Sequence, residues 1–219
     1  MNENIFDLFI HLIVLFTAFP IHECAHALVA HWLGDDTAKN KGRITLNPIS
    51  HLSLMGTIMM VVMGFGWAKP VPINPNNFKK PKQGMALSAF AGPVSNLLLA
   101  YISNIISRIF LYLSYDSDSV TIYYLSSAFE YMAVINLGLA VFNLLPIPPL
   151  DGSKLFNAVL PDKAYFKIMQ YENIIFFALI AISFTGLLNK PLILLQDTAK
   201  DILDFLSGWV DWIMILIMR

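Results

Sequence analysis

Phe16-Thr-Ala-Phe-Pro-Ile-His-Glu-Cys-Ala-His-Ala-Leu-Val-Ala-His-Trp-Leu33 is apolar almost throughout, yet it carries His22, Glu23, His26 and His31. It is the second half of a longer apolar segment running from about Ile5 to Leu33. At about 1.5 Å of rise per residue, a helix of that length exceeds the roughly 30 Å hydrocarbon core of a bilayer. It can cross with tilt, or with a bend at Pro20. Gly34 ends the helix, and the polar run Asp35 to Arg43 follows. Ionisable side chains inside such a helix are costly in lipid, so unpartnered ones are rare.

Composition points to the same solvent. Of the 219 residues 57% are hydrophobic and 13% charged, and the mean hydropathy is +0.63. Soluble domains carry about 25% charged residues, so most of a solvated surface is missing. The net charge of −1 indicates neither a nucleic-acid partner nor an acidic substrate. A single cysteine, Cys24, excludes an internal disulfide. Glu3 and Asp7, not basic residues, lie at the start of the first apolar stretch, and no small-residue cleavage site follows it. No signal peptide is therefore expected. With no repeat or low-complexity tract, residues 1–219 read as one membrane-embedded domain, with a core at about 5–167 and C-terminal helices at about 171–219.

The remaining pattern predicts helices at about Met85 to Leu113, Val120 to Leu145 and Tyr171 to Leu188. The tail from Pro191 to Arg219 is mixed, and either lies at the interface or crosses near its end. The expected fold is an all-α multi-pass membrane protein with about four to five transmembrane helices. Ile49 to Gly66 is also apolar, but it holds Gly56, Gly64 and Gly66 and the β-branched Thr57, Ile58, Val61 and Val62, with prolines on both flanks. Those signals predict a re-entrant, irregular or β-like excursion, which lipid tolerates only against protein or a water-filled cavity.

Basic residues orient the chain. Lys39, Lys41 and Arg43 follow the first helix; Lys69, Lys79, Lys80 and Lys82 follow the excursion; Lys154, Lys163 and Lys167 follow the third helix. All three clusters share one face only if the excursion returns, which leaves the N-terminus and the acidic link Ser114 to Ser119 external. Trp32, Trp67, Trp209 and Trp212 read as interfacial anchors.

The chemistry lies in His22-Glu23-Cys24-Ala25-His26. Positions i and i+4 project from one helix face, so both imidazoles can reach one metal ion, with the glutamate beside them. Zinc in such a site lowers the pKa of its water towards 7, and Glu23 then serves as general base. A catalytic site needs a third protein ligand and an open position. The metzincin extension would place Gly and His at Val29 and Trp32, and it is absent. His11 lies roughly 16 Å away along the axis, and His31 projects from the opposite face to His22. Asp151, in Asn143-Leu-Leu-Pro-Ile-Pro-Pro-Leu-Asp-Gly152, follows an apolar helix and a proline-stiffened stretch. Alone it suits equally an N-cap for Ser153 to Val159. Beside two histidines that lack an oxygen ligand, the metal reading prevails.

Asn96 sits on the apolar segment Val94 to Ala100. It either donates to a substrate carbonyl or developing oxyanion, or makes an interhelical hydrogen bond. Asn136 and Asn143 carry the same ambiguity, and Gly138 and Ala140 read as close helix packing.

The HECAH helix, Gly42-Arg-Ile-Thr-Leu-Asn-Pro-Ile-Ser-His51, Ala68-Lys-Pro-Val-Pro-Ile-Asn74, Ala91-Gly-Pro-Val-Ser-Asn96 and the Asn143-to-Gly152 run follow one another over most of residues 20 to 155. In these the chain resembles the site-2 protease family of intramembrane zinc metalloproteases, especially its compact bacterial members. The resemblance implies one zinc held by His22, His26 and Asp151, with Glu23 as base. It implies a metal buried below the cytoplasmic face of the cell membrane and a re-entrant segment after the first helix. The implied activity is cleavage of a membrane-spanning protein substrate inside the lipid bilayer, in regulated intramembrane proteolysis. Two departures stand out: Ser53 occupies a position that is acidic in many relatives, and Cys24 one often held by a larger apolar residue. A membrane metal transporter or sensor would use the same ligands. Transporters, however, line a path with several intramembrane acids, and Glu23 and Asp151 are the only strong candidates in the first three helices. The intact HExxH and Leu150-Asp-Gly152 disfavour a catalytically silent scaffold.

Overall fold

The computed structural model describes residues 3–63, 68–117, 119–158, 160, 161, 163, 167, 168 and 170–218. Among them the regular structure is helical: α1 (Glu3–Trp32), α2 (Thr37–Asn40), α3 (Leu54–Met63), α4 (Pro81–Ser117), α5 (Val120–Asn143), α6 (Asp151–Asn157), α7 (Glu172–Phe184), α8 (Asn189–Ser207) and α9 (Trp209–Ile217). Single turns of 3-10 helix lie at Pro48–Ser50 and Pro75–Asn77. Among the described residues, Pro81–Tyr115 and Val120–Asn143 each pass as a helix long and apolar enough to cross a membrane. A third span is made if α7 and α8, which meet at 88°, count as one broken crossing.

Local chemistry explains where the long helices start and stop. Gly34 takes a φ of 107°, which suits a residue without a side chain. The amide of Asp35 reaches the carbonyl of Ala30, and that of Gly34 the carbonyl of His31, closing α1 in a Schellman motif. α4 begins at Pro81, four positions before the apolar pattern starts at Met85. Proline at the first helical position lacks only an N–H that would be unpaired anyway. α5 stops at Asn143, just short of Leu144-Leu145-Pro146, where a residue preceding proline is pushed out of the helical region.

The excursion departs from expectation. Its middle is not β-like but a ten-residue α-helix, α3. β-branched residues lose little in a helix, and in an apolar setting the need to pair every backbone group internally outweighs that loss. Ser53 accepts from the amide of Gly56 at 3.2 Å and so caps the first turn, a task serine performs as well as aspartate. Among the described residues strand pairing is confined to one antiparallel bridge, Leu52 with Ala68, beside which the amide of Lys69 donates to the carbonyl of His51 at 2.7 Å. Gly64, Gly66 and Trp67 lie outside the described residues.

α4 is the central helix and packs on α1, α5, α6, α8 and α9. The contacts are built from small residues: Ala18 of α1 is buried among Ala128, Met132, Ile135 and Leu139 of α5, which lets backbones approach closely. Ser107 and Ser126 each donate to the other's backbone carbonyl, joining α4 to α5 at 2.9 Å. A Cβ on Gly138 would lie 2.6 Å from the Gln196 amide nitrogen of α8. Arg108 of α4 pairs with Asp204 and Asp211, docking α8 and α9. The polarity of the whole is inverted. The largest fully buried side chains include His51, Asn96, Asn136 and Asp35, whereas Leu54, Phe177, Phe205, Trp212 and Ile217 lie on the surface.

Candidate metal centre

α1 and α6 bring three ligand atoms together across the fold. The carboxylate oxygen Oδ2 of Asp151 lies 3.2 Å from Nε2 of His22 and 3.0 Å from Nε2 of His26. The two Nε2 atoms are themselves 3.0 Å apart, with the rings edge to face. The helical period brings His22 and His26 together; only the fold brings in Asp151, 129 positions away from His22. Among the described residues this is the one group of three or more metal-capable side chains. Asp151 stands at the first position of α6, whose N-cap is Leu150. Its carboxylate therefore does not cap α6; it turns to the histidines, and Lys154 holds its second oxygen at 3.3 Å.

The donor set fits zinc. His26 donates from Nδ1 to the carbonyl of Ser88 at 2.7 Å, which leaves the lone pair of a neutral ring on Nε2, facing inward. That lone pair lies 3.0 Å from the carboxylate oxygen of Asp151, two acceptors face to face, a contact that a cation between them balances. Two imidazoles and one carboxylate with a fourth position open are the ligands of a catalytic zinc site. The ligands and Glu23 are each less than a tenth exposed, so the site is shielded from bulk water.

Two glycines make room for this cluster. A Cβ on Gly92 of α4 would lie 2.4 Å from Cε1 and Nε2 of His26 and 2.6 Å from Cε1 of His22. A Cβ on Gly152 would lie 2.3 Å from the carbonyl oxygen of Leu144. Neither glycine, nor Ser88 or Lys154, was picked out by the reading of the sequence as part of the centre. The Ala91-to-Asn96 motif was the one signal that pointed at this part of α4.

Asn96 lies one turn beyond Gly92, is 1% exposed, and its amide oxygen has no hydrogen-bond partner. Asn136 and Asn143 donate to carbonyls of their own helix, at Met132 and Leu139, and the amide oxygen of Asn136 is, like that of Asn96, without a partner. His31 pairs with Asp36 at the exposed end of α1, and the side chain of His11 is outside those described. Glu130 lines a small cavity with Asn104, Lys200 and Asp204, away from the histidines.

Two buried charges organise the loops beside the centre. Arg43 donates to the carbonyls of Lys69 at 2.6 Å and Pro70 at 3.0 Å. It also reaches Nδ1 of His51 at 3.3 Å, while Nε2 of His51 donates to the carbonyl of Thr45. The Cys24 thiol meets the backbone of Thr45. Asp35 accepts from the amide and hydroxyl of Thr37, the amide of Asn74 and the side-chain amide of Asn77. Burial raises its pKa, and these hydrogen bonds outweigh that, holding the carboxyl below the ordinary carboxylate range.

The model of peptidase family M50 matches residues 10–185. YwhC of Bacillus subtilis (strain 168), named as a candidate zinc metalloprotease, is 43% identical over 192 residues, 87% of this chain and 87% of that protein. A zinc metalloprotease of Methanocaldococcus jannaschii is 28% identical over 198 residues, 89% of this chain but 48% of that protein. Rip2 of Mycolicibacterium smegmatis, also named as a candidate zinc metalloprotease, is 29% identical over 137 residues, 60% of this chain and 50% of its own. No solved structure matches the chain. With a zinc-type donor set on an HExxH helix and a family match over most of its length, the chain belongs to peptidase family M50, the site-2 protease family, and is a zinc metalloprotease.

Proposed function

We propose that the chain is an endopeptidase that cleaves a membrane-spanning protein substrate at a peptide bond within or at the edge of the bilayer, as in regulated intramembrane proteolysis. The observation that carries this is the convergence of His22, His26 and Asp151, with Glu23 adjacent, inside a helical bundle whose outer surface is apolar. His22, His26 and Asp151 would hold one zinc ion, which when bound supplies a Lewis acid and lowers the pKa of water. Glu23 takes the proton from the attacking water and delivers it to the leaving amine. The amide of Asn96 donates to the scissile carbonyl as charge develops there; what supports this is its buried place on α4 one turn beyond Gly92, which packs against both imidazoles. The segment from Ala68 offers an edge to an unwound substrate strand, since a peptide bond must leave its helix to be attacked.

The excursion returns to the side it left. At about 15 Å, α3 covers half of a hydrocarbon core, and the pairing of Leu52 with Ala68 brings the two ends together. Crossings by α1, α4, α5 and the α7–α8 pair then leave the basic clusters cytoplasmic and the N-terminus external, with the centre nearer the cytoplasmic side. Residues 1–219 act as one membrane domain.

The test is cleavage of a model transmembrane substrate by purified protein in detergent or proteoliposomes. Cleavage should stop with a chelator and return with zinc. Zinc-loaded protein that leaves every such substrate whole, yet carries zinc across a proteoliposome membrane, would replace this role with transport.

A further inference from the structure

We propose that Arg43 is a positioning residue that sets which peptide bond of the substrate reaches Glu23. This rests on the proteolytic role above and on the segment from Ala68 to Ile73 as the docking edge.

Residues 69–77 are held at both ends by buried charges. At one end the guanidinium of Arg43, 5% exposed, grips two successive carbonyls, those of Lys69 and Pro70. At the other end Asp35, fully buried, grips the amide of Asn74 and the side chain of Asn77. Between them run Pro70, Val71, Pro72 and Ile73. The prolines fix φ and carry no N–H, so the stretch is stiff and offers donors only at Val71 and Ile73. In an extended chain, residues two apart present their backbone groups on the same side. An extended peptide therefore docks on a short ladder whose register repeats every two residues. A slip of one repeat moves the peptide by roughly 7 Å and brings a different bond to the site.

Arg43 ties the Lys69 end of this ladder to the catalytic helix, as Asp35, just past the end of α1, ties the Asn74 end. Besides gripping Lys69 and Pro70 it contacts His51, which holds Thr45, whose backbone meets Cys24 next to Glu23. The grip is a planar fork with two arms on neighbouring carbonyls, a geometry that a lysine ammonium cannot reproduce. With the fork gone, the edge still exists, because the Leu52–Ala68 bridge and the Asp35 clamp remain, but its position relative to Glu23 is no longer unique.

The experiment compares wild type, Arg43→Lys and Arg43→Gln on one transmembrane substrate, with products identified by mass spectrometry and zinc measured in parallel. Zinc content should be unchanged. The preference for the wild-type bond over bonds two residues away should fall by roughly ten-fold, the worth of one hydrogen bond to a charged group. A residue needed only for folding would lower cleavage at every bond alike. A second measurement does not depend on activity. In a Glu23→Gln, Cys24→Ser background, Val71→Cys is cross-linked to single cysteines placed along the substrate. One position should dominate with Arg43, and positions two residues to either side should join it with Arg43→Lys. Unchanged cleavage bonds and an unchanged cross-link position in the variants overturn the proposal, whatever happens to the rate. A wild-type protein that cleaves no membrane substrate refutes the proteolytic role instead, and does so before Arg43 is tested.

Discussion

Glu23 neighbours His22, one of the three proposed ligands, without belonging to the set itself, which separates its two conceivable duties. Glu23→Gln keeps size and hydrogen-bonding shape but cannot accept a proton, while both histidines and Asp151 stay in place. Zinc content should survive and cleavage should fall by a factor on the order of 10² to 10⁴. Zinc per chain and rate on one substrate, measured side by side, decide it; near-normal cleavage with zinc bound would sink the proposed mechanism. Asp151→Ala should lose zinc or hold it far more weakly, since it would remove one of the three proposed protein ligands, whereas His31→Ala and His51→Ala should retain it by elemental analysis. Gly92→Ala is subtler. Its methyl group would sit 2.4 Å from the His26 ring, so the ring must turn or α4 must retreat. Competition against a chelator should report zinc affinity lowered by about 10- to 100-fold, as for loss of other supports around a metal.

At the scale of elements, the end of α1 is a junction rather than a plain terminus. Gly34 turns the chain, and Asp35 then gathers Thr37, Asn74 and Asn77 around one carboxylate. Because its folded pKa is depressed, Asp35 contributes stability that is present above its unfolded pKa and is lost as pH falls through the lower folded value. Thermal unfolding in detergent should show wild type losing stability below about pH 4, near the unfolded carboxylate value. Asp35→Asn should start lower at pH 7, by about 1–3 kcal/mol, and lose less on acidification. Equal acid dependence in both proteins would mean that another group governs the loss. The same clamp explains why an element with few hydrogen bonds of its own holds an extended path beside the centre.

The molecule as a whole buries polar and small side chains and exposes large apolar ones, the reverse of a water-soluble domain. Polar groups in the bundle find partners across helices, as Asn104 and Arg108 do with Asp204 and Ser207. The proposed topology is open to single-cysteine labelling in a Cys24→Ser background. A cysteine at Lys80 should react only from the cytoplasmic side, and one at Ser117 only from outside. Labelling of position 80 from outside intact cells would mean that the excursion crosses.

Much of this was legible without coordinates, and the reason is periodicity. A helix places His22 over His26 whatever surrounds it, so the metal pair and its glutamate follow from spacing alone. Composition likewise determines the solvent, because too few charges remain to cover a wet surface. Long apolar runs mark α4 and α5, to within a few residues at their ends. What tertiary structure decided is everything that depends on two segments meeting. Asp151 by itself suited a cap and a ligand equally well, and the sequence preferred the ligand only because two histidines lacked an oxygen partner; the packing of α6 on α4 is what carries its oxygen to within 3.2 Å of both. Gly92 has no local signature; its role exists because α4 passes within contact of two imidazoles. The excursion combined strand-type residues with an apolar setting, and the setting prevailed in α3, since unpaired backbone in lipid costs more than an unfavourable propensity. Arg43 was one of three basic residues in a run used to orient the chain, and stood in the Gly42-to-His51 motif without a role of its own; burial against Lys69, Pro70 and His51 made it structural.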